Sequence, residues 1–381
     1  ADDGEKFGLW PKTHQWVYGE GWLDKFFSML EQSSDWLRTM TFQAYVQDTT
    51  ASGQVFLPSG SYDEMLQWSG GHFRNFFAKY PEAHAMQQKM LRVSATVKAL
   101  KAHRVTGRGA RSKIHDSRQV SRTKLLAEAE RALYAGQCNC AYWHGVFGGL
   151  YLAHLRRGVY TNLIAADTLA HRAVGVLPKA LTVLDADGDG QEAISLRTPS
   201  MEVVVDPAKG GAITEWTLVE PRINLLDVVS RHPESYHQVL AAHSPESVAS
   251  VSQPPASIHD VLGMKDEQLT QHLRYDSHHR SAFLDYALER LPTLEEVVHS
   301  TWKVKPGWSG GTYRWDRQGS AASRKGPVGV TMVRELATGR IRKQVVLSRD
   351  RLECQYELEG LEIPVVGMEF NLSLRDPRLL T

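Results

Sequence analysis

Residues 181–196 read LTVLDADGDGQEAISL, and the fold turns on them. Upstream the apolar residues recur at helical spacing; from about residue 178 they alternate instead, the period of strands. Asp185, Asp187 and Asp189 interleave here with Gly188 and Gly190, residue types that close tight turns. The stretch is read as strand, acidic turn, strand. MEVVVDPAKGGAITEWTLV (201–219) repeats the plan, with Asp-Pro and Gly-Gly in its connection. GVTMVRELATG, IRKQVVLSRD, LECQYELEG and VGMEFNLSL are further strand-like runs punctuated by Gly, Asp and Pro. Many short strands joined by hairpin turns imply an antiparallel sandwich over 178–381. The chain ends at RDPRLLT, directly after a strand, so that sandwich is expected to be incomplete at its C-terminal end.

Residues 1–175 read as helices and loops. Leu125, Leu126, Ala129 and Leu133 share one helical face, as do Leu152, Leu155, Val159 and Leu163. Gly148 and Gly149 precede the second of these, where a chain can turn sharply into a helix. Seven Arg or Lys residues lie between Arg104 and Lys124. No aromatics interleave with them, so a solvated loop between helices is the reading, with a polyanion patch as the alternative.

At 381 residues the chain calls for two or more domains. Hydrophobic content of 42% and charged content of 23% are those of a globular protein. A net charge of +1 gives no electrostatic reason to expect nucleic acid or an anionic membrane as partner. Cys138, Cys140 and Cys354 are too few for a disulfide framework, and no run is apolar enough to span a bilayer or act as a signal peptide. A reducing, cytoplasmic setting is the default expectation. The oligomeric state is not legible.

Chemistry concentrates in GQCNCAYWHGVFGGLYLAHLRR (136–157), where Gln137, Asn139, Tyr142, Trp143 and His144 fall within eight positions. An indole offers a flat apolar face to a pyranose, while amides and an imidazole bond its hydroxyls. Composition alone favours a helix junction with a buried Trp and a satisfied His over the sugar reading. Tyr62, Glu64 and Trp68, then Arg74, Asn75, Phe76, Phe77 and Tyr80, also suit a carbohydrate, or a core with a solvated rim.

DDGEKFGLWP, LPSGSYDEMLQW, FRNFFAKYPEAHAMQQKML and QCNCAYWHGVFGGLYLAHLRR together resemble ordered segments of glycoside hydrolase family 57. The likeness is to its 4-α-glucanotransferase and α-amylase branch. It extends through LDADGDGQEAI, ASIHDVLG and LRYDSHHRSAFLDYAL, nearly the whole chain. The resemblance implies a multidomain α and β protein. Residues 1–30 would be the end of a catalytic (β/α)7 barrel, 31–175 a helical domain completing the active site, and 178–381 a sandwich of galactose-mutarotase type. It implies a retaining enzyme acting on an α-1,4-glucan or maltooligosaccharide, with no cofactor. Retention needs two carboxylates about 5 Å apart. Asp3 matches the family's acid/base, and the nucleophile is expected upstream of Ala1. Trp10, Asn139, Trp143 and His144 take substrate-binding positions. Cys140 stands where relatives usually carry Asp, and a thiol brings no charge unless ionised. The competing class is a non-catalytic carbohydrate-binding or scaffold protein.

The acidic turn has a separate reading. Oxygen ligands from Asp185, Asp187, Asp189 and Glu192 suit a structural calcium, although the spacing is shorter than an EF-hand loop. A plain acidic hairpin accounts for the same residues equally well. His278 and His279 are read as polar rim.

Overall fold

The computed structural model describes residues 13–57, 60, 63–72, 74–102, 113–144, 148–234, 237, 273–305, 308, 310–315 and 326–374. The chain divides into two compact units, one of residues 1–60 with 239–270 and one of residues 61–238 with 271–381. In the first unit, helix α1 (Trp22–Gln32) follows Gly21, whose φ of 67° is easy only for glycine. Trp22 stacks on Phe26, one turn on, at 5.3 Å. The Thr41 hydroxyl caps α2 (Phe42–Asp48) by accepting from the Ala44 amide at 3.2 Å.

The second unit starts helical, with α3 (Asp63–Trp68), α4 (Asn75–Lys79), α5 (Pro81–Ala102), α6 (Lys113–Gly136) and α7 (Ala153–Val174). The expected faces of α6 and α7 are the buried ones: Leu126, Ala129 and Leu133 on one, Val159 and Leu163 on the other. They join Phe76, Tyr80, Met86, Val93 and Val97 in one helical core. The basic stretch read as a loop is corrected in part. From Lys113 onward it is the first half of α6, while Arg104, Arg108 and Arg111 lie outside the described residues. An isolated stretch of this charge has little helical driving force. Packing of the apolar half of α6 on α7 supplies it.

The sheets follow as expected. β1 (Leu181–Leu184), β2 (Ala193–Arg197), β3 (Met201–Asp206) and β4 (Ala212–Leu218) form consecutive antiparallel hairpins. The first sheet is ordered β1-β2-β3-β4-β6-β11 and has seven strands, the short β5 (Ile223–Asn224) pairing with β4. The second is ordered β10-β9-β8-β7. β8 (Val328–Leu336), β9 (Gly339–Leu347), β10 (Leu352–Glu359) and β11 (Val365–Phe370) match the strand-like runs, whereas β6 (Ala282–Leu288) and β7 (Arg314–Trp315) carried no strand reading. Ile194, Leu196, Val203 and Val205 from one sheet meet Val330, Met332, Ile341 and Val345 from the other in a single core. The other face of β2–β4 carries Ser195, Glu202, Glu215 and Thr217. A bulge at Thr214 lets Val204 pair with Glu215 and Val205 with Ile213, an extra residue that resets which side Glu215 faces. Glu215 there binds the buried Lys89 of α5. Arg197 reaches Asp167 of α7 at 2.5 Å. Ion pairs thus join the helices to the sheet.

Candidate functional site

The segment Gln137–Tyr151 is held from both ends. α6 stops at Gly136, whose carbonyl accepts from the Tyr142 hydroxyl at 2.6 Å. Asn139–Tyr142 forms a 3-10 turn that buries Ala141 and Tyr142. The Leu150 amide then donates to the Trp143 carbonyl at 2.8 Å, closing the loop. Gly149 sits so near that a Cβ there would lie 2.1 Å from the Trp143 carbonyl oxygen. The turn into α7 therefore requires glycine.

Trp143 and His144 come out of this loop facing the helices. Trp143 is half-buried, edge-on to Phe76 at 5.8 Å. His144 is buried, its Nδ1 3.2 Å from the Gly148 carbonyl. Its ring is walled edge-on by Trp68 at 5.0 Å, Tyr151 at 4.6 Å and Tyr80 at 6.2 Å. Burial holds the imidazole below its ordinary pKa, with the Glu234 charge offsetting part of that, so His144 is neutral at pH 7. Asn139 and Cys140 lie on the exposed side of the same turn, the thiol donating to Asn139 Oδ1 at 3.5 Å. Desolvation and the neighbouring Cys138 push the Cys140 thiol up, so it carries no charge at neutral pH. Asp3 and Trp10 lie outside the described residues.

Under this segment sits a group with no sequence signal. Glu234 is 3% exposed. One carboxylate oxygen accepts from the Tyr80 and Tyr151 hydroxyls, both at 2.7 Å, and the other from Lys79 Nζ at 2.6 Å. Burial disfavours its charge, but those three donors outweigh burial and hold its pKa below the usual carboxylate range. A second carboxylate, Glu82, lies near His232 and His279 and accepts from the Ser230 amide at 2.8 Å. His232 in turn meets the Tyr80 ring edge-on at 5.9 Å. Tyr80 was named in sequence only for its place in an aromatic run. Glu234, from RHPESYH, looks there like any loop glutamate.

The acidic turn is built differently. Asp185 accepts from the Gly188 and Gly190 amides at 2.7 and 3.0 Å, and Asp189 from Gln191 at 2.8 Å. The three aspartates offer oxygens within 4.8 Å of one another; Glu192 is not among them. Lys209 already binds Asp187 and lies 3.2 Å from Asp189 and 3.3 Å from Asp206. A resident ammonium and the turn's own amides take up the charge a cation would need. Gly188 has a φ of 77°, and a Cβ on it would lie 2.9 Å from His84 of α5. Arg92 of α5 donates to the Ala186 carbonyl at 2.7 Å. The turn docks on the helix.

A profile described as "Alpha-amylase/4-alpha-glucanotransferase, C-terminal" matches residues 185–378, and the corresponding middle-domain profile matches 71–170. The chain belongs to the alpha-amylase/4-alpha-glucanotransferase family. This is the branch of glycoside hydrolase family 57 that the sequence resembles. Among relatives in the family, the 4-alpha-glucanotransferase of Thermococcus kodakarensis is 32% identical over 98% of this chain and 55% of its own length. Alpha-amylase 1 of Dictyoglomus thermophilum is 32% identical over 78% of this chain and 43% of its own. The crystal structure of 4-alpha-glucanotransferase from Thermococcus litoralis aligns with a TM-score of 0.64 at 29% identity, covering 97% of this chain and 54% of that one. The chain spans about half the length of the curated relatives it matches. Its helices and antiparallel sheets follow the fold of that family member. No helix among the described residues is long and apolar enough to cross a membrane.

Proposed function

We propose that this chain is the glucan-handling part of an enzyme that cleaves α-1,4-glucosidic bonds with retention and passes the glucosyl unit to another glucan or to water. The observation that carries the reading is the wall of Trp68, Tyr80 and Tyr151 around the neutral His144, placed beside Trp143 within the segment that bears the family likeness. In this reading Asp3 protonates the leaving glycosidic oxygen while a second carboxylate attacks the anomeric carbon. Trp10, Asn139, Cys140, Trp143 and His144 contact the sugar. Residues 1–30 close a catalytic barrel, 31–175 form the helical domain, and 178–381 form a sandwich of galactose-mutarotase type in a cytoplasmic enzyme. At the acidic turn a calcium ion would have to compete with Lys209 for the oxygens of Asp187 and Asp189.

The test is maltooligosaccharide binding by the 381-residue chain, followed by calorimetry. Trp143→Ala should weaken it by at least about 1 kcal/mol through lost stacking. Unchanged affinity in a variant that melts like the wild type would return Trp143 to a purely packing role. One observation favours the second reading, a binding protein without catalysis: the Cys140 thiol, pushed up and so uncharged, stands where the family resemblance implies an aspartate. Disproportionation of maltooligosaccharides by the purified 381-residue chain would rule that reading out.

A further inference from the structure

Cys138 and Cys140 are both exposed, and both are free thiols. They flank one residue, Asn139, which opens the 3-10 turn Asn139–Tyr142. A helical residue between two others sets their Cα atoms about 5.5 Å apart. A disulfide spans about 4.4–6.8 Å between Cα atoms. On a regular helix, side chains at this spacing point away from each other. Cys138 escapes that rule because it is the N-cap, with an extended ψ of 121°. An N-cap side chain leans over the second and third residues of its turn, and the second is Cys140. Cys138 makes no side-chain cap bond, so the amides of the turn do not hold its sulfur.

The two thiols differ in their surroundings. Desolvation, and then the neighbouring Cys138, keep Cys140 protonated. Its S–H is engaged with Asn139 Oδ1 at 3.5 Å. Thiolates, not thiols, attack disulfides, so Cys138 is the one set to react first. A Cys138 bonded to another sulfur can no longer carry charge, which removes one cause of the raised Cys140 pKa. Reaction of the first thiol thus releases the second. Cys354 stands apart from both, packed against the core between the two sheets, where burial pushes its thiol up to about 11.

We propose that Cys138 and Cys140 are a dithiol site that low-molecular-weight disulfides oxidise to an intramolecular disulfide. The Cys138 thiolate attacks one sulfur of the small disulfide, RSSR. A Cys138–sulfur bond forms, the S–S bond of RSSR breaks, and one RS⁻ leaves. Cys140 then gives up its proton, and its sulfur attacks Cys138 Sγ and expels the second RS⁻. The two thiol protons end on the two leaving thiolates. Two protein thiols and one RSSR become one protein disulfide and two RSH, with two electrons passing from the protein to the small molecule. Asn139 Oδ1 loses its S–H donor in the same step. This chemistry is independent of whether the turn binds glucan.

The experiment treats the 381-residue chain with glutathione disulfide at mildly alkaline pH and follows intact mass and free thiols. Free thiols should fall from three to one, in a product that has lost two hydrogens and carries no glutathione. Dithiothreitol should restore it. Cys140→Ser should stop at a stable glutathione adduct. Cys138→Ser should react at least about threefold more slowly than Cys140→Ser, because the remaining thiol is the less ionised one. Phenylarsine oxide condenses with two adjacent thiols and releases water. One equivalent should protect the wild-type chain from glutathione disulfide, and this decides the matter if either variant melts early. A wild-type chain that keeps three thiols, or that ends as a stable glutathione adduct, would overturn the proposal. So would failure of phenylarsine oxide to protect it. Equal rates in the two variants would overturn the assignment of Cys138 as the attacking thiol.

Discussion

Two places in the second unit set carboxylate against lysine, and they do so in opposite ways. In the acidic turn every partner but one is local: Asp185 and Asp189 bond amides two to five residues on, and only Lys209 comes from another hairpin. At Glu234 every side-chain donor is distant in sequence. Lys79 and Tyr80 come from the α4–α5 junction and Tyr151 from the turn before α7. The turn is half open to water, whereas Glu234 is buried. Local bonding makes a turn that keeps its shape whatever packs on it. Distant bonding makes a carboxylate whose charge depends on three elements staying together. That dependence is useful under His144, where a fixed wall of aromatic rings is needed.

The contrast should show first in stability. Glu234→Ala leaves the Tyr80 and Tyr151 hydroxyls without their acceptor and Lys79 without its partner. It should cost about 3 kcal/mol, read from urea unfolding at pH 7. A loss below about 1 kcal/mol would mean that the three elements are held by packing alone.

The next effect is in pH. Glu82 is held well below the usual carboxylate range; burial opposes this, but the imidazoles of His232 and His279, 3.5 and 3.3 Å away, prevail. His232 is raised, chiefly by its bond to Glu82. A lowered carboxylate contributes stability above its unfolded pKa of about 4.3 and loses it as pH falls through the folded value. A raised imidazole contributes stability below its unfolded pKa of about 6.5 and loses it as pH rises through the folded value. The cluster is therefore worth most between about pH 4.5 and 6.5. His232→Gln should remove the decline in melting temperature above that window. A variant that keeps the wild-type slope would assign the titration to another group.

The smallest effect belongs to the acidic turn. Asp187→Asn removes a part-exposed ion pair and should change stability by less than about 1 kcal/mol. Millimolar calcium should leave the wild-type melting temperature unmoved. Lys209→Met, which frees Asp187 and Asp189 of their ammonium, is where calcium would first stabilise the protein. A calcium shift in the wild type would mean that the ion displaces Lys209, and would restore the turn as a metal site.

Legibility followed the same division. Alternation gave most of the strands and their hairpins, since the period of a strand is written in consecutive residues. The glycines before α7 announced the sharp turn for the same reason. α5 passed unrecognised because its buried face runs Ala83, Met86, Lys89, Val93, Val97, and a lysine at the centre breaks the apolar stripe. Only the bulge that sets Glu215 against it makes Lys89 a core residue. The aromatic and amide content of 137–144 was visible in sequence. Its carboxylate support was not, because Glu234 lies far along the chain from every group it bonds.

By itself the sequence determined the helical-then-β order, the register-forming hairpins from β1 to β4, the acidic turn and the family. These rest on interactions between residues a few positions apart, whose pattern survives being read as a string. Tertiary structure alone decided that β6 lies between β4 and β11, that β7 joins β8, and that Lys89 and Arg156 are buried with carboxylate partners. Each of these is a pairing across long stretches of chain. Its energy comes from removing two polar groups from water together, a condition that neither residue's neighbours in sequence can reveal.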